Sequence, residues 1–398
     1  MTWTRAAGLR EQLLKRWHRG EILRARVLGE ELFPLQLRLK RPDSKQMGED
    51  FGAVRDWVRE LCAGERSQLG YGYELQWQCH NHRVHGRNDL PVAAVVPSEA
   101  DALRLIGKKE AAARFDRISR YALQRFPELR DWLARRPLTA LDYAAEWEQL
   151  LAVLDYFRAN PRPGLYLRQL DIPGVDTKFI EARRKLLIEL LDCVLPESAI
   201  NHQAAGVRRF AERYGLAQEP AQVRLRLLDD TCAIAGLSDL TLIAEEFRRL
   251  DPDVDTVFIT ENKVNGLAFP AHPRALVIFG LGYGLERLAE VPWLMRTRVL
   301  YWGDIDTHGF AILDRLRRSL PHAESLLMDR ATLEAHRSLW TSEPAEHRFG
   351  GELERLSPAE AALFADLCAD SLGERVRLEQ ERIGFGWVQG RLEMLAAS

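Results

Sequence analysis

Three short runs of apolar, β-branched residues stand out along the chain: Thr256 to Thr260, Ala275 to Phe279 and Val299 to Trp302. None alternates, and each stops where polar residues or glycine begin, which is the pattern of parallel strands buried on both faces. Elsewhere the apolar positions recur at helical spacing. Leu9, Leu13, Leu14 and Trp17 predict one amphipathic helix, and Phe51, Val54, Trp57, Val58 and Leu61 predict another. Between them Leu35, Leu37 and Leu39 alternate with Gln36, Arg38 and Lys40, the period of a half-buried strand. GYELQWQCHNHRVHGRNDLPVAAVVP predicts two strands joined by a polar turn around His85 to Asp89.

Helical spacing returns from Ala100 to Leu154, and the two prolines of FRANPRP (157–163) then interrupt it as a linker would. GLYLRQLDIPGVDTKFIEARRKLLIELLD predicts a short helix, a Pro-Gly turn and a long helix opening near Asp176, a suitable N-cap. Two helices joined by a tight turn suit a helix-turn-helix or winged-helix unit, with Lys178, Arg183 and Arg184 as DNA contacts; an ordinary packing helix with a charged outer face has the same spacing. Further on, 206–216 predicts a helix, 222–230 a strand, 238–251 a helix and ESLLMD a strand, with residues 330–398 helical.

The acids fall at the ends of the buried runs. Glu261 leaves the first, and Asp304 and Asp306 leave the third within Gly-Asp-Ile-Asp-Thr-His-Gly. Ligands of open parallel sheets bind beyond the carboxyl ends of the strands. Three carboxylates gathered there repel one another unless a cation lies between them, and oxygen-only ligands suit Mg²⁺ or Mn²⁺ rather than zinc. The alternative for Asp304 and Asp306 is capping of the helix that follows. Lys263, Asn262 and Asn265 stand close behind Glu261, to touch a phosphate or simply to order a loop, and His308 is a candidate proton carrier or helix cap. Gly280, Gly282 and Gly284 suit a phosphate-cradling turn or tight strand-to-helix packing. Cys79, His80, His82 and His85 offer transition-metal ligand types, but in a strand they do not share one face, so polar packing is the expectation.

A glutamate after one strand and Asp-x-Asp-x-x-Gly after a later one resembles the Toprim domain of topoisomerases, primases and related nucleases. The surrounding words ITENKVNGLAFP, GLGYGLERL and YWGDIDTHGFAILDRLR resemble the JetD family of Wadjet, a bacterial anti-plasmid defence system; that family is related to the A subunit of topoisomerase VI. The resemblance implies an α/β multidomain protein: an N-terminal α+β arm (1–160), a winged-helix-like (CAP-like) DNA-binding middle (161–250), a Toprim catalytic domain (251–345) and a helical tail (346–398). It implies a metal-dependent DNA endonuclease in which Asp304 and Asp306 hold Mg²⁺ or Mn²⁺ and Glu261 completes the shell or moves a proton. Implied partners are double-stranded plasmid DNA and a condensin-like SMC complex, with a homodimer cutting both strands. Topoisomerase VI relatives attack with a winged-helix tyrosine, and Tyr166 and Tyr214 do not match that motif, so water is the expected nucleophile. Two other readings stay open: a haloacid-dehalogenase-like phosphohydrolase using Asp304-Ile305-Asp306-Thr307, and a catalytically silent DNA-binding subunit.

Composition adds little: 46% hydrophobic and 29% charged residues over 398 positions suit an ordinary globular protein of two or three domains. The five cysteines are scattered and the chain has no apolar run near 20 residues, which predicts a cytoplasmic protein without a disulfide framework. Net charge is only -2, although residues 1–41 carry ten Lys/Arg against four Asp/Glu, either a phosphate-attracting stripe or a solvated helix face.

Overall fold

Helices Ala6–His18 and Phe51–Ala63 form where the spacing of Leu9, Leu13 and Trp17, and of Val54, Trp57 and Leu61, puts one apolar stripe on each, and all six side chains are buried. They belong to a computed structural model that describes residues 3–82, 86–280, 288 and 290–396. Its chain divides into two compact units, Met1–Gln218 and Glu219–Ser398.

The first unit is mainly helical. Its one described sheet has three antiparallel strands, β1 (Leu35–Leu37), β2 (Glu74–His82) and β3 (Gly86–Val96), in the order β1-β3-β2. Gly86 to Asp89 belong to β3 rather than to the turn expected there, and residues 83–85, with His85, lie outside the described residues. Cys79 is exposed and its Sγ accepts from Arg87 Nε at 2.9 Å.

The prolines of 157–163 do not separate one core from another. Phe157, near the end of helix Trp147–Ala159, is fully buried and meets Phe210 and Tyr214 edge-on at centroid distances of 6.4 and 5.9 Å. One hydrophobic core therefore runs from Leu9 to Leu216 and includes helix Thr177–Val194, so the boundary expected at residue 160 breaks a helix without ending a core. Asp176 caps the long helix by accepting from the Phe179 N–H at 2.7 Å, as its position predicts.

The second unit holds a mostly parallel sheet of six strands: β4 (Gln222–Leu227), β5 (Asp239–Ile243), β6 (Thr256–Thr260), β7 (Ala275–Phe279), β8 (Arg298–Trp302) and β9 (Glu324–Ser325). Their order is β5-β4-β7-β6-β8-β9; β7, β6, β8 and β9 run parallel, while β4 is antiparallel to both its neighbours. Residues 257–260, 275–279 and 299–302 are all buried, which is why these runs show no alternation. The helix expected over 238–251 begins instead as β5. Leu240 and Leu242 alternate with exposed Asp239 and Thr241, and pairing with β4 takes that segment before helix Ala244–Arg249 starts.

The tail contains helices Pro358–Cys368 and Phe385–Ala396, but it is not wholly helical. β10 (Thr341–Ser342) pairs antiparallel with β11 (Val376–Arg377), and Leu378 exchanges backbone hydrogen bonds with Ile305 at 2.9 and 3.1 Å. Among the described residues no helix is long and apolar enough to cross a membrane.

Candidate active site

Parallel register places Thr260 beside Trp302, so the residues leaving β6 and β8 emerge side by side at one sheet edge. Glu261 follows the first strand, and Gly303-Asp304-Ile305-Asp306 follows the second. Tyr301, a fully buried residue of β8, donates its hydroxyl to Glu261 Oε1. A Cβ at Gly303 would stand 2.6 Å from that hydroxyl, so glycine keeps the path from Tyr301 to Glu261 open.

Asp306 is the N-cap of helix Thr307–Ser319, its Oδ1 accepting from the Gly309 N–H at 2.7 Å. The glycine of Asp-x-Asp-x-x-Gly has a steric cause: a Cβ at Gly309 would lie 2.2 Å from the Asp304 carbonyl oxygen. Gly309→Ala must push that backbone away and with it the Asp304 side chain. We expect it to destabilise by roughly 1–3 kcal/mol, the usual penalty of overpacking, and thermal melts of the purified variant measure this.

Burial dominates the electrostatics. It raises the Glu261 carboxyl above its ordinary range, opposed by the Tyr301 hydroxyl and reinforced by the charge of Asp304. Asp306, only 4% exposed, is pushed up to about 7, first by burial and then by Glu343 and Asp304, against the Gly309 N–H and Arg377. Asp304 thus acts on both other acids across the strand ends.

The segment 377–381 closes over them. Arg377 donates from Nη2 to Asp304 Oδ2 at 2.6 Å, and its Nε lies 3.0 Å from Asp306 Oδ2, buried but out of hydrogen-bonding alignment. The Gln380 N–H donates to Asp304 Oδ1 at 2.9 Å. The buried Gln380 side chain accepts from Thr260 Oγ1 at 2.6 Å and from Asn265 Nδ2 at 3.3 Å, and Glu381 accepts from Asn262. Glu343, 1% exposed, accepts from Thr307 Oγ1 at 2.7 Å and from the His308 N–H at 3.1 Å, anchoring the start of the helix that Asp306 caps.

Arg377, Gln380, Glu343 and Tyr301 are not among the residues that the sequence marks out. The first three sit in mixed polar stretches with no motif, and Tyr301 reads only as one more member of an apolar strand.

The donor chemistry of Glu261, Asp304 and Asp306 suits a hard divalent ion, and a cation would relieve the raised carboxyls. The arrangement does not fit one as it stands. Among the described residues no group of three or more His, Cys, Asp or Glu is placed to hold a metal, and a guanidinium lies against both aspartates.

Other candidates are distributed unevenly. Asn262 caps helix Lys263–Ala268, while Lys263 is exposed on its first turn. His308 is partly buried, and burial, then His347 and Arg315, lower its pKa. Gly280 takes a left-handed φ of 71°, and Gly282 and Gly284 lie outside the described residues. Tyr214 is wholly buried and donates to Asp192 at 2.7 Å, whereas Tyr166 is exposed.

On helix Thr177–Val194, Lys178 is exposed and Arg184 partly buried beside Glu181, while Arg183 forms a two-pronged pair with Glu146 at 2.6 and 2.7 Å. Arg183→Ala is therefore expected to lower stability by about 1 kcal/mol, read by melting. Lys178→Ala should instead leave the melt unchanged; the DNA contact that the resemblance implies for it predicts weaker binding across sequences and a salt slope lower by about 1, read in a salt titration.

Two family models match. Residues 6–192 match an N-terminal family described as an uncharacterized protein conserved in bacteria (DUF3322), and residues 215–392 match the C-terminal region of the Wadjet protein JetD. No curated protein matches the chain. The acid motif, the sheet that presents it and these two matches, which together span nearly the whole length, lead to one assignment: the chain belongs to the JetD family of the Wadjet system.

Proposed function

We propose that this JetD-family chain is the nuclease subunit of its Wadjet system, a Toprim-type endonuclease that hydrolyses the backbone of circular plasmid DNA. The observation that carries the reading is the parallel register of β6 and β8, which sets Glu261 next to the Asp304–Asp306 loop at the carboxyl edge of the sheet. Glu261, Asp304 and Asp306 are the residues that would hold Mg²⁺ or Mn²⁺. The burial of Tyr214, with its hydroxyl committed to Asp192, supports water over a covalent tyrosine as nucleophile.

Exposed Lys178, on the first turn of helix Thr177–Val194, suits a phosphate contact in a winged-helix-like role. A homodimer would bring two equivalent sites to the two strands, and the other Wadjet components, an SMC complex among them, would deliver the DNA. The test is digestion of supercoiled plasmid by the purified chain with Mg²⁺ or Mn²⁺, alone and with those components, followed by sequencing of the ends. Linear or nicked product with defined ends supports the reading; plasmid left intact in every combination refutes it.

A further inference from the structure

The two aspartates assigned above to a divalent ion are already occupied by a cation of the protein's own. Both oxygens of Asp304 are engaged: Oδ2 takes Arg377 Nη2 at 2.6 Å and Oδ1 takes the Gln380 N–H at 2.9 Å. Arg377 also lies 3.0 Å from Asp306 and 3.3 Å from Glu379, so one guanidinium serves three carboxylates. An ion such as Mg²⁺ needs carboxylate oxygens at about 2.0–2.1 Å, which a guanidinium wedged against the same oxygens excludes.

We infer that Arg377 is the built-in counter-ion of this cluster, exchanged for the divalent cation when segment 377–381 is lifted away, so that this segment governs when the proposed nuclease is armed. The inference rests on the nuclease reading for its purpose, though not for its chemistry. Without a cation the buried acids would repel one another, and the guanidinium prevents this in the metal-free protein.

The attachment is suited to release. Arg377 is held by the two-residue pairing of β10 with β11 and by the Ile305–Leu378 bridge, and its Nε is a buried donor without an aligned acceptor. Gln380 ties the same segment to Thr260 and Asn265 at the end of β6, so a single movement would free both oxygens of Asp304 and open the edge beside Glu261.

The experiment compares full-length wild type, Arg377→Met and Asp304→Asn by Mn²⁺ titration, with free Mn²⁺ read by electron paramagnetic resonance and melting followed in parallel. Arg377→Met should bind Mn²⁺ about tenfold more tightly or better, because apparent affinity falls with the fraction of molecules whose site is open. It should also melt lower than wild type without metal and gain more on adding it, while Asp304→Asn binds Mn²⁺ more weakly than either. Equal or weaker Mn²⁺ binding by Arg377→Met than by wild type, including none by both, overturns the exchange.

Arg377→Lys provides a second variant should the first not fold. It keeps one charge but cannot span both aspartates, so it too should bind more tightly than wild type, and unchanged affinity overturns the inference. Plasmid added to the same samples separates the two claims. Tightened Mn²⁺ binding with plasmid left intact removes the nuclease reading and leaves the exchange standing; cleavage at equal Mn²⁺ affinity does the reverse.

Discussion

Asp304→Asn is expected to lose plasmid cleavage by more than ~100-fold while the protein still folds, since even outer partners of a metal ligand typically cost 10–100-fold when removed. Asparagine matches aspartate in shape and retains an oxygen to accept the Gln380 N–H, so the loop geometry has no steric reason to change. What disappears is the negative charge that both a divalent ion and Arg377 require. The measurement is conversion of supercoiled plasmid to nicked and linear forms over time, beside a melt of the same preparation. A variant that melts normally and cleaves as wild type does would make the acid cluster structural and place the cutting chemistry elsewhere, whereas no cleavage by either protein would leave the chain a silent DNA-binding subunit.

The second large effect is on stability and its pH dependence. In the fold the Asp306 carboxyl titrates at about 7, against 3.8 for an ordinary aspartate. The unfolded chain therefore gives up this proton first, and between about pH 4 and pH 7 ionisation favours unfolding. Above pH 7 both states are charged and the penalty is complete, on the order of 4 kcal/mol at most for a shift of this size.

Asp306→Asn removes the titration and keeps the cap, because an amide oxygen can accept the Gly309 N–H equally well. With a chelator present, the variant should melt close to wild type near pH 4 and increasingly above it toward pH 8. A difference in melting temperature that stays constant over this range, or runs the other way, would show that the buried carboxyl is not the source. Its catalytic cost is separate: the variant that stabilises the protein at pH 8 should be the one that no longer cuts.

Both effects follow from a motif that is legible without coordinates. Asp-x-Asp-x-x-Gly is local chemistry: Asp306 caps the helix it precedes, and Gly309 is glycine because the Asp304 carbonyl passes within 2.2 Å of where a Cβ would be. The β-branched runs of β6, β7 and β8 are equally local signals, since a strand buried on both faces must be apolar throughout. The pattern is less reliable where two periods compete. Residues 238–251 have apolar positions that suit a helix, and their first half became β5 because β4 offers a partner strand. The prolines of 157–163 mark a break in a helix, but Phe157 shows that a break in the chain is not a break in the core.

The sequence by itself determined the central strands of the second unit's sheet, the three acids at its edge and the family resemblance, because these depend on neighbours along the chain. Only the tertiary structure decided what faces those acids. Arg377 lies 73 residues from Asp304, and Gln380 lies 120 from Thr260, in a stretch that the pattern reads only as helical. Long-range packing brings them in, and no spacing rule connects residues that meet only where β11 pairs with β10 and Leu378 with Ile305.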